Sequence, residues 1–283
     1  MTPVPQVDEG SGIELHRSLA SKPEDPSLKA LVAAVADAAG VPFRPLLLQA
    51  LLYLPRISDV NGLLSRRSAR TEIERLTQFV PKKWEWGPDF QQGEGLLDAS
   101  IRELDEGRAS EILERFHYLR STHQGSRHYG MWMEGAFDRP VAIASVSLND
   151  VPTLQDLAQR MTVSVERTKV VSRVFAFPQS PRNSISRLLS SIARSERSLG
   201  NVRLFTYVNP NLGFTGVSYR ASSWEMVGDE PGTTYRYVDQ NYMTDRYLRR
   251  TFGTSRDEEL RHLLGDRFER SIMNLEPLLV YSR

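Results

Sequence analysis

Apolar residues recur at helical spacing through the first third of the chain and at strand spacing through much of the rest. Residues before about Ser27 carry neither pattern. Pro23, Glu24, Asp25 and Pro26 have linker chemistry, and residues 1–26 are expected to be a flexible N-terminus. Ser27 can cap an Ala-rich helix over Leu28–Ala39 that stops at Gly40. Pro42 and Pro45 precede a second helix over Leu46–Leu54, and Pro55 ends it. Ser58 or Asp59 can cap a short third helix through Val60, Leu63 and Leu64. Ser68 can cap a fourth, with Ile73, Leu76, Phe79 and Val80 on one face and Pro81 as its stop. The polar stretch Lys82–Gly95 reads as a linker. Its two tryptophans, Trp84 and Trp86, suit packing onto another domain, with base stacking as the alternative. Residues 27–95 are therefore expected to form a small all-helical unit.

From Leu96 the pattern changes. A helix carries Glu111, Ile112, Leu113 and Phe116. Tyr129–Glu134 and Val141–Leu148, joined at Asp138-Arg139-Pro140, predict a β-hairpin. Thr153–Arg160 is a short helix, Lys169–Phe177 a strong strand and Ser184–Arg197 an amphipathic helix ended by Gly200. Val202–Val208 is the next strand, and a short helix runs from Tyr219 to Ser223. Trp224–Val227 and Thr234–Val238 predict a closing strand pair. A charged helical tail leads to a last apolar strand, Leu278–Tyr281. This order predicts an α/β fold with a mixed sheet over residues 96–283.

Composition narrows the chemistry. The absence of cysteine among 283 residues excludes disulfides, thiolate metal sites and a cysteine nucleophile. Lys+Arg 36 against Asp+Glu 35 leaves a net charge of +1, so contact with nucleic acid needs a local basic patch. Ile57–Val80 has helix–turn–helix proportions, with Arg66, Arg67 and Arg70 at the entry of its second helix. They suit phosphate contact, or the solvated face of a plain helical bundle. No signal sequence or membrane span is expected, which makes the cytoplasm the default location.

Residues 170–224 carry the most information. The turn Pro178–Asn183 leaves a strand and feeds a helix whose first turn holds Asn183, Ser184 and Ser186. Free amides and partial positive charge at such a helix head suit an anion or a carbonyl oxygen, and Arg182 adds a full charge. Capping by Asn183 or Ser184 is the structural reading of the same residues. Asn209 stands at the next strand end, and Tyr219 follows on a short helix. A phenol and an amide placed there suit proton transfer and orientation, although Tyr219 also suits a core position.

Ser-Arg173-Val-Phe, then Pro-Arg182-Asn183-Ser184-Ile-Ser186, then Tyr-Val-Asn209-Pro-x-x-Gly-x-x-Gly-x-x-Tyr219-Arg-Ala-Ser-Ser-Trp resemble the bacteriophage Mom-type adenine-modification proteins. These are placed among the Gcn5-related N-acetyltransferase-like (GNAT-like) folds. The resemblance covers residues 105–245. It implies a GNAT-like mixed sheet with flanking helices and a transferase acting on a nucleobase amino group, adenine N6 in DNA first. It further implies Arg173, Ser186, Asn209 and Tyr219 as catalytic residues and Arg182, Asn183 and Ser184 as the donor site. Relatives usually carry Asp where this chain has Asn209, and an amide neither takes a proton nor holds a cation well. Acetyltransferases of this fold grip acetyl-CoA with a glycine-rich turn. Here Gln179–Ser184 lacks glycine, and Pro181 lacks an amide donor. Tight acetyl-CoA binding is not expected, and the donor stays open between acetyl-CoA and another small molecule.

His117, His123 and His128 lack the spacing of a helical zinc pair, and no metal is expected. In a GNAT-like fold their segment shapes the acceptor pocket, which makes His123, Arg127 and His128 candidate substrate-loop residues. The implied partners are DNA and a small-molecule group donor. Two other readings stand beside the enzyme: a catalytically inactive module binding nucleic acid or protein, and an acyl-CoA N-acyltransferase.

Overall fold

The computed structural model describes residues 28–58, 64–87, 99–123, 125–133, 139–230, 234–273 and 275–283. Contacts divide the chain into two compact units. One holds Pro81–Asn209, Thr215–Glu230 and Leu278–Arg283; the other holds the chain up to Val80, Pro210–Phe214 and Pro231–Pro277. This differs from the expected partition at residue 95.

The first unit is a seven-stranded sheet. Its strands are β1 (Ser100–Leu104), β2 (Arg127–Trp132), β3 (Ala142–Leu148), β4 (Thr168–Ala176), β5 (Arg203–Val208), β6 (Glu225–Glu230) and β10 (Leu278–Ser282), in the order β1-β2-β3-β4-β5-β10-β6. Among the described residues its helices are α4 (Glu106–Phe116), α5 (Pro152–Arg160), α6 (Ser184–Ser198) and the single turn α7 (Val217–Arg220). Asp105 caps α4 by accepting from the Arg108 amide at 2.8 Å. Leu104, Ile112, Leu113, Ile143 and Phe177 form one buried cluster between α4 and the sheet. Leu154 and Ala158 of α5 pack with Val170, Phe205 and Val280. On α6, Leu188, Leu189 and Ile192 are fully buried, as the spacing predicts, and buried Glu196 accepts from the Tyr129 hydroxyl of β2 at 2.6 Å.

All neighbouring strands run antiparallel except β4 and β5. That parallel pair, the arrangement that two apolar strands joined by a single helix favour, is present. It extends over only three rungs, Thr168↔Arg203, Lys169↔Leu204 and Val170↔Phe205. Both strands continue beyond the last rung without pairing each other, so their carboxyl ends part. A bulge in β4 lies at the same level: Ser145 opposes Arg173 and Val146 opposes Val171, leaving Ser172 as the extra residue. Parted parallel strands in a mixed sheet with flanking helices match the GNAT-like architecture implied by the resemblance.

Among the described residues the N-terminal part of the second unit forms α1 (Leu28–Ala39), α2 (Phe43–Tyr53) and α3 (Arg66–Leu76). The unit also holds a small sheet, β8 (Asn241–Met243), β7 (Arg236–Val238) and β9 (Phe268–Arg270), with helices α8 (Asp245–Phe252) and α9 (Asp257–Leu264). The sheet is a middle layer. Tyr237 donates to the Leu52 carbonyl at 2.7 Å, and Arg56 pairs with Glu269 on the α2–α3 side. Val238 and Phe268 face the other way, onto Leu248 and Leu260 of α8 and α9. These contacts draw 234–273 to the N-terminal helices.

Several expectations are corrected. The strand pair Trp224–Val227 with Thr234–Val238 does not form: β6 pairs with β10 in the large sheet, and β7 lies in the small one. Helix α2 begins at Phe43, since Pro45 in a first turn sacrifices no internal hydrogen bond. Ser65, not Ser68, caps α3, accepting from the Ser68 amide at 3.1 Å. Trp86 belongs to the large-sheet core, not to a linker. The predicted third helix falls largely on residues 59–63 and the hairpin turn partly on 134–138, outside the described residues.

Candidate active site at the parted strands

Arg173 lies just past the β4 bulge. Its guanidinium donates to the Ser172 carbonyl at 2.7 Å, to the Ser121 carbonyl at 3.0 Å and to the Ser121 hydroxyl at 3.1 Å. The bulge turns the Ser172 carbonyl out of the ladder toward this charge, and Ser121 ties the segment after α4 to β4. That segment turns tightly at His117–Arg120, with Arg120 at φ 48°. Buried His117 accepts from the Leu119 amide at 3.1 Å. Burial and the Arg173 charge hold it well below the usual histidine range, so it is neutral at pH 7.

Tyr118 lies within electrostatic reach of both Arg173 and Tyr219. Burial, opposed by the Arg173 charge and aided by Tyr219, pushes the Tyr118 phenol up to about 12. Burial also raises Tyr219, against a lowering contact from Thr206. The Thr206 hydroxyl donates to the Val171 carbonyl at 2.9 Å, bridging β5 to β4 just past their last rung, and its oxygen lies 3.4 Å from the Tyr219 hydroxyl. The Tyr219 ring stacks on Tyr281 at 5.8 Å and meets Trp224 edge-on at 5.5 Å. Gly216, at φ 73°, lets Tyr281 approach: a Cβ there would sit 2.5 Å from the Tyr281 hydroxyl.

Past the last rung stand the Thr206 hydroxyl and the Tyr219 phenol, with Arg173 just beyond the bulge and Tyr118 within electrostatic reach of it. Neutral phenols and a guanidinium can donate hydrogen bonds to a polar or negatively charged group. Tyr219 is no base here, because nothing lowers it below its ordinary value. Arg220 donates instead to the Thr215 carbonyl at 2.7 Å and to Tyr281 at 3.0 Å. Among the described residues no cluster of three or more acidic or histidine side chains is arranged to hold a metal ion.

A model of the Mom protein family matches residues 98–274, well over half of the chain. The chain belongs to the Mom protein family. Solved structures of low likeness include the ribosomal-protein-S18-alanine N-acetyltransferase from Escherichia coli, 11% identical, covering 65% of this chain and 92% of that one with a TM-score of 0.37. A polyamine N-acetyltransferase from Drosophila melanogaster is 14% identical, covering 66% and 99%, with a TM-score of 0.37. Spermidine N-acetyltransferase from Vibrio cholerae, in complex with CoA and spermine, is 7% identical, covering 66% and 95%, with a TM-score of 0.35. No curated protein sequence matches this chain.

In this Mom-family protein the other sequence-derived candidates sit on several elements. Ser186 stays near Tyr219: its hydroxyl donates to the Ser218 carbonyl at 3.2 Å, tying the head of α6 to α7. Buried Ser184 donates to the Pro181 carbonyl at 2.6 Å. Asn183 occupies the cap position at φ 69° without a side-chain capping bond, and both it and Arg182 are exposed. Asn209 directly follows β5 and is half-buried. Arg127 and His128 are not loop residues but open β2. Arg127 pairs with Glu103 and buried Glu196, both at 3.2 Å. Buried His128 shares a hydrogen 2.8 Å from the Ser145 hydroxyl, and burial lowers it below the usual histidine value. His123 is half-buried in the segment after α4. Arg66, Arg67 and Arg70 are exposed in the first turns of α3, and Arg70 pairs with Glu74 at 2.9 Å. Tyr118, Ser121 and Thr206 were not singled out by the sequence. No helix among the described residues is long and apolar enough to cross a membrane.

Proposed function

We propose that this Mom-family protein transfers a small group to the exocyclic amino group of a nucleobase, with adenine N6 in DNA as the leading substrate. The observation that carries the reading is the approach of the Thr206 and Tyr219 hydroxyls just past the last β4–β5 rung, with Arg173 beside the β4 bulge. Family membership supports the substrate class.

The amino nitrogen of adenine is a poor nucleophile because its lone pair is delocalised into the ring. In the overall transfer one N–H bond is replaced by an N–C bond, and the displaced group leaves with the proton. Two phenols held neutral serve this as donors, steadying charge that builds on the donor's oxygen or leaving group. Arg173 adds a fixed positive charge beside them. A base inside a duplex must leave its stack to reach such an opening. The loop carrying Arg182, Asn183 and Ser184 would hold the donor. Arg66, Arg67 and Arg70 would meet phosphates.

Mass spectrometry of nucleosides from the DNA of cells expressing the protein tests the reading. A new adenine derivative, absent with Tyr219→Phe, supports it. Unmodified DNA, with tight nucleic-acid binding, would mark an inactive binding module. Calorimetric titration with acetyl-CoA decides the donor class.

A further inference from the structure

Arg283 directly follows β10 and stays in its ladder. Its amide donates to the Leu204 carbonyl of β5 at 3.0 Å, and its carbonyl accepts from the Leu204 amide at 2.8 Å. The side chain is pinned at one nitrogen: Nη1 donates to the Ser222 carbonyl at 2.5 Å and lies 3.3 Å from the Ser190 hydroxyl of α6. Nε and Nη2, the parallel donors of the guanidinium fork, bond to no acceptor among the described residues.

Two further guanidiniums join it. Ser190, Arg194 and Arg197 stand at i, i+4 and i+7 on α6, which aligns them along one flank of that helix. Arg194 and Arg197 are exposed. Burial, and then the charges of Arg197 and Arg194, hold Arg283 below the ordinary arginine value. No ion pair among the described residues relieves this crowding. Glu196, between the two arginines in sequence, is buried and taken up by Tyr129, Arg127 and Asn201. Glu225 opposes Ser282 across the β6–β10 ladder, so it shares that residue's face of the sheet and not that of Arg283.

Cations in the last turn of a helix complement its dipole, which accounts for Arg197 and in part for Arg194. It does not account for Arg283, which a separate strand brings in and holds with its fork open. Three guanidiniums without a carboxylate, one of them fixed with a two-donor edge, match phosphate oxygens. The cluster stands beside the candidate active site. Tyr281, whose ring stacks on Tyr219, is two residues earlier on the same face of β10, about 7 Å at the usual strand rise. Arg194 and Arg197 lie 10 and 13 residues past Ser184, at the head of α6. That is about 15 and 20 Å along the helix from the loop assigned to the donor, so a phosphate of the acceptor fits better than one of the donor.

We propose that Arg194, Arg197 and Arg283 form a seat for phosphates of the nucleic-acid strand that carries the reacting base. This rests on the reading of a nucleic-acid substrate and adds the element that holds the strand beside Tyr219.

The test measures binding of a labelled oligonucleotide to the full chain by anisotropy at several salt concentrations, with a calorimetric titration of coenzyme A alongside. Changing Arg194 and Arg197 together to Gln should lower the salt slope by up to about two counterions. Binding should weaken by roughly tenfold per arginine at about 0.1 M salt, equally for oligonucleotides of different sequence. Arg283→Gln should remove about one counterion more. Arg283→Lys keeps the charge without the fork, so it should keep the slope and lose affinity. Arg194 and Arg197 make no side-chain hydrogen bond or ion pair among the described residues, so the double variant decides the matter where Arg283→Gln fails to fold. Equal affinity and slope in the double variant would overturn the proposal. So would a loss of coenzyme A binding with oligonucleotide binding untouched, which would give the arginines to the donor. A double variant that binds as the natural protein does and still modifies adenine sinks the seat and leaves the enzymatic reading intact. Arginine-dependent binding by a natural protein that leaves adenine unmodified does the reverse.

Discussion

Tyr219→Phe removes one oxygen and keeps the ring, so fold and chemistry separate cleanly. The ring's packing on Tyr281 and Trp224 is unchanged by the substitution. The hydroxyl's approach to Thr206 is long at 3.4 Å, and Thr206 keeps its 2.9 Å bond to Val171. A well-made neutral hydrogen bond contributes about 1 kcal/mol, so the stability lost here is below ~1 kcal/mol and the melting point falls by no more than about 4 °C. Turnover should fall far more, by roughly 10²- to 10⁴-fold, if the hydroxyl donates to reacting atoms. Its pH dependence has a defined sign. Burial disfavours the phenolate, so the phenol keeps its proton past its ordinary value of about 10. A donor role therefore leaves the rate flat through neutral and mildly alkaline pH, with a fall only above that value. The assay is quantitation of modified adenine in purified DNA across that range, paired with thermal unfolding. Full activity in the Phe variant would refute the reasoning. So would a natural-protein rate that climbs with pH through neutrality and loses that climb in the variant.

Gly216→Ala places a methyl group 2.5 Å from the Tyr281 hydroxyl at a positive φ; unfolding should show a loss of about 1 kcal/mol or more, with activity falling as the Tyr281–Tyr219 stack shifts. Changing Arg66 and Arg67 to Ala removes positive charge from the start of α3, so thermal unfolding should show equal or higher stability, up to about 1 kcal/mol per residue. The same variant should bind DNA more weakly with a smaller salt slope, and unchanged binding would leave these arginines as plain surface. Burial raises the Glu72 carboxyl, but its bonds to Arg75 and Arg56 outweigh this and hold it below its ordinary value of 4.5. That contribution is fully present above about pH 5 and is lost as pH falls through the folded-state value, and Glu72→Gln should flatten the stability–pH curve in that window.

Local patterns made much of this fold readable. Lys169–Phe177, Ser184–Arg197 and Val202–Val208 carry their own apolar periodicity, and the observed elements differ from them by a residue or so at each end. Strand β1 was missed because its sequence, Ser-Ile-Arg-Glu-Leu, is an edge strand with one fully buried residue. The partner of β6 was misassigned because pairing is non-local: β10 lies some fifty residues on, and no periodicity encodes it. Site legibility had the same limit. Tyr219 and Arg173 stood out through motif resemblance. Tyr118 gains its meaning only from Arg173, which folding brings to it, and Thr206 hides as an alternate polar position in a strand. The stretch around His117 drew notice for its histidines. The two that proved buried, His117 and His128, are held neutral, and the phenol next to His117 lies within electrostatic reach of Arg173 and Tyr219.

Strand β10 lies between β5 and β6, so the large sheet has its interior completed by residues 278–282, after the chain has made the small sheet and its helices. Until then β5 and β6 are two unsatisfied edges, each open to pairing with a strand from another molecule. Assembly of the sheet is thus a late event governed by long-range closure, slower than the formation of its helices. Neither unit corresponds to a contiguous stretch of sequence. A fragment cut near residue 95 or residue 277 would carry the apolar faces of one unit without the strands that cover them. Proteolytic nicking with the pieces left associated is therefore the suitable way to dissect this protein, since separate expression of halves would release the edges that β10 exists to seal.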